Sequence, residues 1–163
     1  FDMNKDLSLS RLFEEAINIE LNAARLYELF QRNFPNDSSF WGQLIFEEKN
    51  HAVLLQDGRD RFLPIGKFPE AILPSSLTSL VWANRGIAAL IDKYKERPPS
   101  REEAFNAALG VESSAGEAHY QQFMEKESPS KIGKIFQELN REDKDHVLRL
   151  RSYMEKKGIR IEK

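Results

Sequence analysis

Four segments of this chain carry apolar residues at alternating spacings of three and four, the pattern of helices that bury one face. Capping and terminating residues place these segments at 8–33, 38–62, 101–126 and 129–157. For example, Ser100 opens the third segment and Gly158 follows the fourth. Such long amphipathic helices in a chain of 163 residues can bury their apolar faces only by packing side by side. The sequence therefore predicts an all-α bundle that forms a single domain over residues 1–163.

The lengths of the connections predict the topology. The first two segments are joined by only a few residues, as are the last two, so each pair should form an antiparallel hairpin. A long crossover lies between the two hairpins and has its own helical pattern over 76–96. This pattern predicts an extra helix, and the alternative is an elaborated loop packed on the bundle. Two hairpins joined by one long crossover form the topology of a ferritin-like four-helix bundle.

Each of the four apolar stripes is interrupted by an acidic residue, and two of them add a histidine three residues later. These residues are Glu20, Glu48 with His51, Glu112, and Asp143 with His146. Each acid lies near the middle of its predicted helix, so the side chains should converge in one layer of the bundle. Buried carboxylates that lie close together need compensating charge, and two divalent cations balance four carboxylates. Oxygen and imidazole ligands suit iron or manganese, and zinc would also bind.

Two polar residues follow these acids at a spacing of seven. Tyr27 follows Glu20, and it is either a core aromatic residue or a hydrogen-bond donor to a ligating carboxylate. His119 follows Glu112, and it is a donor to a ligand, an extra ligand or a polar core residue. Both are therefore candidate functional residues beside the predicted metal site.

The composition excludes several classes of function. The chain has no cysteine, which excludes disulfides, iron–sulfur clusters, thiolate zinc sites and cysteine nucleophiles. A formal net charge of −2 argues against a nucleic-acid-binding protein, and no apolar run is long enough to span a bilayer. The sequence begins without the apolar stretch of a signal peptide. We therefore expect a cytoplasmic protein with no nucleic-acid or membrane partner.

The acidic and histidine pattern resembles that of ferritin-like di-iron carboxylate proteins, in which two helices each give a Glu and two each give Glu-x-x-His. The runs Glu20-x6-Tyr27, Phe46–His51 and Phe136–Leu139 leading into Asp143 are most similar to the rubrerythrin branch. The resemblance covers nearly the whole chain apart from the crossover. It implies two iron ions held by the six residues above, peroxide or dioxygen as substrate, an external electron-donor protein and a homodimer.

The chain departs from the rubrerythrin pattern at three points. Asp143 stands where the family usually has Glu, and Ala115 stands where peroxide-reducing rubrerythrins supply an extra Glu. The chain also carries no rubredoxin-like cysteine module. The leading expectation is a di-iron oxidoreductase that reduces peroxide or activates dioxygen. The alternatives are a non-enzymatic metal-binding or storage protein, and a ferritin-like bundle that has lost its metal chemistry.

Overall fold

A computed structural model of the chain describes residues 3–66, 76–128, 130–139, 141 and 145–163. The α-helices in these ranges are α1 Met3–Asn33, α2 Ser38–Asp57, α3 Leu77–Glu96, α4 Arg101–Glu112, α5 Ala115–Glu125, α6 Lys131–Leu139 and α7 His146–Lys157. Short turns of other helical types cover Pro35–Asp37, Gly58–Phe62 and Leu63–Ile65. The described ranges contain no β-strand, which confirms the all-α prediction. None of the helices in them is long and apolar enough to cross a membrane.

Helices α1 and α2 pack along each other and are joined by Phe34 and a single 3-10 turn. Pro35 begins that turn, and because proline has no N–H and fixes its own φ, helix α1 stops just before it. Gln31 then donates a hydrogen bond of 3.1 Å to the carbonyl oxygen of Ser38 across the turn. The apolar residues of the two facing stripes, such as Phe13 and Trp41, are fully buried between the helices.

The crossover contains helix α3, close to the range that its pattern predicts. The hydroxyl of Ser76 caps it by accepting a hydrogen bond from the backbone N–H of Ser79. The buried residues Leu80, Ile87 and Tyr94 recur every seven positions along α3, and this helix packs against α1. The predicted crossover residues over 67–75 lie outside the described residues.

The predicted helix over 101–126 is wrong as a single element, because α4 ends at Glu112 and α5 begins at Ala115. The carbonyl oxygen of Leu109 accepts both the hydroxyl of Ser113 at 2.9 Å and the backbone N–H of Ser113 at 3.1 Å. The N–H of Ser114 donates a hydrogen bond to the carbonyl oxygen of Val111, three residues earlier, as in a 3-10 turn. The backbone of Ser114 itself is extended. The apolar period continues across the two serines, and this continuity is the reason that the sequence predicts one helix.

The predicted helix over 129–157 is also two helices, α6 and α7, which flank residues 140–145. Asp145 adopts the left-handed region with φ 63° and ψ 38°, a conformation that cannot continue a right-handed helix. Its backbone N–H donates to Gln121 Oε1 on α5 at 2.6 Å. Helix α7 ends at Lys157 as predicted, because Gly158 adopts φ 69° and the next N–H bonds back to the carbonyl of Met154.

Candidate metal centre

Five of the six predicted ligands come together in the interior. They are Glu20 from α1, Glu48 and His51 from α2, Glu112 at the end of α4 and His146 at the start of α7, and each is at most 3 % exposed. The sixth predicted ligand, Asp143, lies outside the described residues. The described part of the structure therefore supplies three carboxylates and two imidazoles to one buried cluster.

The five residues form two groups that share Glu48. One group is Glu20, Glu48 and His51, and the other is Glu48, Glu112 and His146; within each group the potential ligand atoms lie within 4.8 Å of one another. In the first group His51 Nδ1 is 3.6 Å from Glu20 Oε2 and 3.9 Å from Glu48 Oε2. In the second group His146 Nδ1 is 2.9 Å from Glu48 Oε1 and 3.1 Å from Glu112 Oε2. These buried groups could each hold a metal ion, with Glu48 between them.

The spacing of the donor atoms fits a small divalent ion. Ligand oxygen and nitrogen atoms lie about 2.1 Å from a transition metal, so two ligands of one ion are at most about 4.2 Å apart. Because the ligand atoms of each group lie within 4.8 Å of one another, the most distant pair needs to approach by at most about 0.6 Å to reach this limit. Both histidines direct Nδ1 toward the carboxylates, and their rings lie nearly parallel at 5.6 Å between centroids. The donor set of carboxylate oxygen and imidazole nitrogen suits iron, manganese or zinc.

The prediction that the acids lie at helix midpoints is right for Glu20 and Glu48 and wrong for Glu112, whereas Asp143 lies outside the described residues. Glu112 is the last residue of α4 and His146 is the first residue of α7. Two helix interruptions therefore meet at the cluster, and a non-glycine residue with positive φ, Asp145, directly precedes His146. Backbone in a sparsely populated region is retained where the surrounding structure fixes it, and functional sites are a common place for it.

The charges in the cluster are strongly coupled. Burial raises the pKa of Glu48 well above its ordinary value, and the neighbouring carboxylates of Glu112 and Glu20 raise it further. Burial alone would lower the pKa of His146, but Glu112 and Glu48 outweigh burial and raise it. The cluster thus carries an excess of negative charge that favours either bound protons or bound cations.

Sequence reasoning missed an ion pair that supports the site. Glu47 is fully buried, and it accepts two hydrogen bonds from the guanidinium of Arg149, Nη1 to Oε1 at 2.7 Å and Nη2 to Oε2 at 2.5 Å. Burial opposes ionisation of Glu47, but the neighbouring His146 and the hydrogen bonds from Arg149 lower the pKa of Glu47 to about 2. Glu47 Oε2 also lies 3.9 Å from His146 Nε2, on the side of the ring away from the cluster. This carboxylate therefore lies near Nε2 of His146, while Nδ1 faces the ligand group.

Of the two residues predicted to lie beside the metal site, Tyr27 contacts a member of the cluster, whereas His119 belongs to neither ligand group. The hydroxyl of Tyr27 is fully buried and donates a 2.6 Å hydrogen bond to Glu112 Oε1, which is one of the two alternatives given for it above. His119 lies on α5, beyond the interruption at Ser113 and Ser114, and is only partly buried. It belongs to neither group of potential ligand atoms.

Comparisons of this chain with family models, with curated proteins and with solved structures find no match. The resemblance to rubrerythrins therefore depends on the residues quoted above.

Proposed function

We propose that this protein is a dinuclear metalloprotein of rubrerythrin-like type that reduces peroxide or activates dioxygen at a di-iron centre. The observation that carries the proposal is the pair of buried ligand groups that share Glu48. A carboxylate shared between two ligand groups can bridge two ions, and the Glu-x-x-His spacing of Glu48 and His51 is the one used in di-iron bundles. The ferritin-like arrangement of the helices is part of the same proposal.

Each side chain of the cluster has a distinct part in this function. Glu20 and His51 would hold one ion, Glu112 and His146 would hold the other, and Glu48 would bridge them. Bound iron supplies reversible one-electron redox chemistry, which peroxide reduction requires because the chain has no redox-active cysteine. The protein fixes the ligands, neutralises the charge and keeps the site away from bulk water. Electrons would come from an external donor.

A second candidate function is a helical bundle that has lost its metal chemistry. One observation favours it: His146 Nδ1 lies within hydrogen-bond distance of both Glu48 and Glu112, so a protonated histidine could compensate their charge without an ion. In that case the cluster would be a proton-sharing network and the fold would serve another purpose, such as contact with a partner protein.

Metal loading under anaerobic conditions distinguishes these functions. The protein is incubated with ferrous iron, freed of excess metal and analysed for bound iron, and the loaded sample is then mixed with peroxide or dioxygen in a stopped-flow spectrometer. Our proposal predicts tightly bound iron, rapid oxidation of both ions and repeated turnover when a reductant is added. Oxidation in a single stoichiometric event would instead indicate storage, and absence of bound iron would exclude metal chemistry.

The matched control for this experiment is a change of charge far from the cluster. Glu14 is on the same helix as Glu20 but is exposed. Glu14→Gln should bind and oxidise iron as the wild type does, whereas Glu20→Gln should lose iron from one ligand group. Equal behaviour of the two variants would contradict the assignment of Glu20.

A further inference from the structure

Aromatic rings form a continuous path that begins at the candidate metal centre. Tyr27 donates to Glu112, and its ring centroid lies 5.6 Å from that of Trp41. Trp41 in turn lies 4.5 Å from Phe105 and 5.6 Å from Phe40. The rings of Tyr27, Trp41 and Phe105 are fully buried.

The path ends at a partly buried tyrosine on α7. The ring of Tyr153 lies 5.5 Å from Phe105, nearly parallel to it, and 4.2 Å from Phe40, against which it stacks. Two short routes therefore join Trp41 to Tyr153, and each crosses one phenylalanine ring. Tyr153 lies next to the basic end of α7, where Lys157 Nζ is 5.7 Å from its ring centroid.

Both tyrosines at the ends of the path are hydrogen-bonded to carboxylates. Tyr27 OH lies 2.6 Å from Glu112 Oε1, and Tyr153 OH lies 2.6 Å from Asp37 Oδ1. A phenol that loses an electron must also release its proton, so a carboxylate acceptor at this distance is required for reversible oxidation. The indole N–H of Trp41, which lies between them, donates to no acceptor among the described residues. Tryptophan can pass an electron as a radical cation without moving that proton.

We propose that Tyr27, Trp41 and Tyr153 form a one-electron relay between the metal centre and the protein surface. This inference rests on the function proposed above. Electron tunnelling falls off steeply with distance, and Trp41 divides the route into two shorter steps, one from Tyr27 at 5.6 Å between ring centroids and one to Tyr153 across a single phenylalanine ring. The relay would let a reductant that docks at the surface supply electrons to a site from which it is sterically excluded.

The steps of the relay balance as follows. Peroxide would first oxidise the bound iron. Tyr27 would then give one electron to the iron and its phenolic proton to Glu112. Trp41 then gives one electron to Tyr27, which takes back the proton, and Tyr153 gives one electron to Trp41 while its own proton passes to Asp37. An external one-electron reductant restores Tyr153, which recovers the proton from Asp37. In total, one electron moves from the reductant to the centre and every side chain is regenerated.

The relay is tested by electron paramagnetic resonance of iron-loaded protein frozen shortly after mixing with peroxide. Ring-deuterated tyrosine or tryptophan identifies the residue type of any organic radical, and ascorbate serves as the one-electron reductant. The wild type should show a tyrosine radical that ascorbate removes rapidly. Tyr153→Phe, which removes only a hydroxyl, should lose that radical and leave an inner one that ascorbate removes far more slowly.

Two further variants complete the test. Trp41→Phe keeps an aromatic ring in the core but removes the intermediate carrier, so the radical should be confined to Tyr27. Trp82→Phe is the control, because Trp82 is exposed on α3 and is not one of the rings that join Tyr27 to Tyr153. It should behave as the wild type does.

Iron content and iron oxidation are measured on the same samples, which separates the two proposals. A protein that binds and oxidises iron but forms no tyrosine radical overturns the relay alone. The same holds if Tyr153→Phe retains the wild-type radical and its sensitivity to ascorbate. A protein that takes up no iron overturns the proposed function, and the relay with it.

Discussion

Replacing Glu48 with glutamine should change the stability of the metal-free and the metal-loaded protein in opposite directions. Glu48 is fully buried beside two other carboxylates, and it is the only residue common to both ligand groups. Glutamine has nearly the same shape but no charge. Without metal, folding requires Glu48 either to retain a proton or to be buried as a charge that Glu112 and Glu20 oppose, and glutamine removes this cost. With metal, the substitution removes a ligand of both ions.

The structure sets the expected magnitudes. Because a buried polar group that is poorly satisfied costs about 1–3 kcal/mol, removal of this cost should stabilise the metal-free variant by about 2 kcal/mol. The melting temperature of a chain of this size changes by about 2–4 °C per kcal/mol, so the gain should be roughly 4–8 °C. For the wild type, each ion present at one hundred times its dissociation constant adds about 2.7 kcal/mol, so two ions add about 5.4 kcal/mol, which corresponds to roughly 11–22 °C. Glu48→Gln should lose this metal-induced rise in melting temperature.

The sign of the pH dependence follows from the raised pKa of Glu48. Above the ordinary value of 4.5, the unfolded chain has released a proton that the folded protein still holds. The wild-type protein without metal should therefore lose stability relative to Glu48→Gln as the pH rises from about 4.5 toward the folded pKa. Near pH 4 the two proteins should be closest in stability, apart from effects common to both.

Thermal unfolding, followed by circular dichroism with a chelator and then with ferrous iron under argon, measures both effects. Glu20→Gln and Glu112→Gln provide the comparison, because each removes a ligand from one group only and should retain half of the bound metal. Our reasoning is refuted if Glu48→Gln destabilises the metal-free protein and still shows the full metal-induced shift.

Three further predictions concern stability away from the shared ligand. Glu47→Gln should cost about 2 kcal/mol in urea unfolding, because it breaks the buried ion pair with Arg149. Asp37→Asn should cost about 1 kcal/mol at neutral pH; burial raises the pKa of Asp37, but hydrogen bonds led by that from Arg101 lower it below 3.8 overall. The stabilisation that ionised Asp37 gives the folded protein is fully present above pH 3.8 and should disappear as the pH falls through the lower pKa of the folded state. The free energies of unfolding of the variant and the wild type should therefore converge in acid. Gly158→Ala should cost about 1 kcal/mol in thermal unfolding, because alanine resists the left-handed conformation that ends α7.

Each of these substitutions has a control in the same chain. Lys49→Gln breaks an exposed pair with Glu28 and should cost less than about 1 kcal/mol, in contrast to Glu47→Gln. Gly86→Ala in α3 places a methyl group where no atom lies within 4 Å and should stabilise by about 0.5–1 kcal/mol, opposite in sign to Gly158→Ala. An Asp37→Asn defect that persisted unchanged at pH 2 would contradict the electrostatic origin of that effect.

The sequence was sufficient to predict the helical class, the helix in the crossover and the convergence of five of the candidate metal-site residues. These features depend on local patterns: the apolar period specifies the buried face of each helix, and one acid on such a face is conspicuous because buried charge is costly. The prediction succeeded for Glu20 and Glu48 because α1 and α2 continue through the site without interruption. It succeeded for Glu112 and His146 although the helices predicted to carry them are interrupted there.

Only the tertiary structure revealed the interruptions and the residues that support the site. Helix α4 cannot continue into α5 because the backbone of Ser114 is extended, and the apolar period carries no sign of that conformation. Glu47 is adjacent to the predicted ligand Glu48, and its burial depends on a guanidinium that lies 102 positions away in the chain. Periodicity describes one helix at a time, whereas the partner of a buried charge is selected by packing between helices that are distant in sequence.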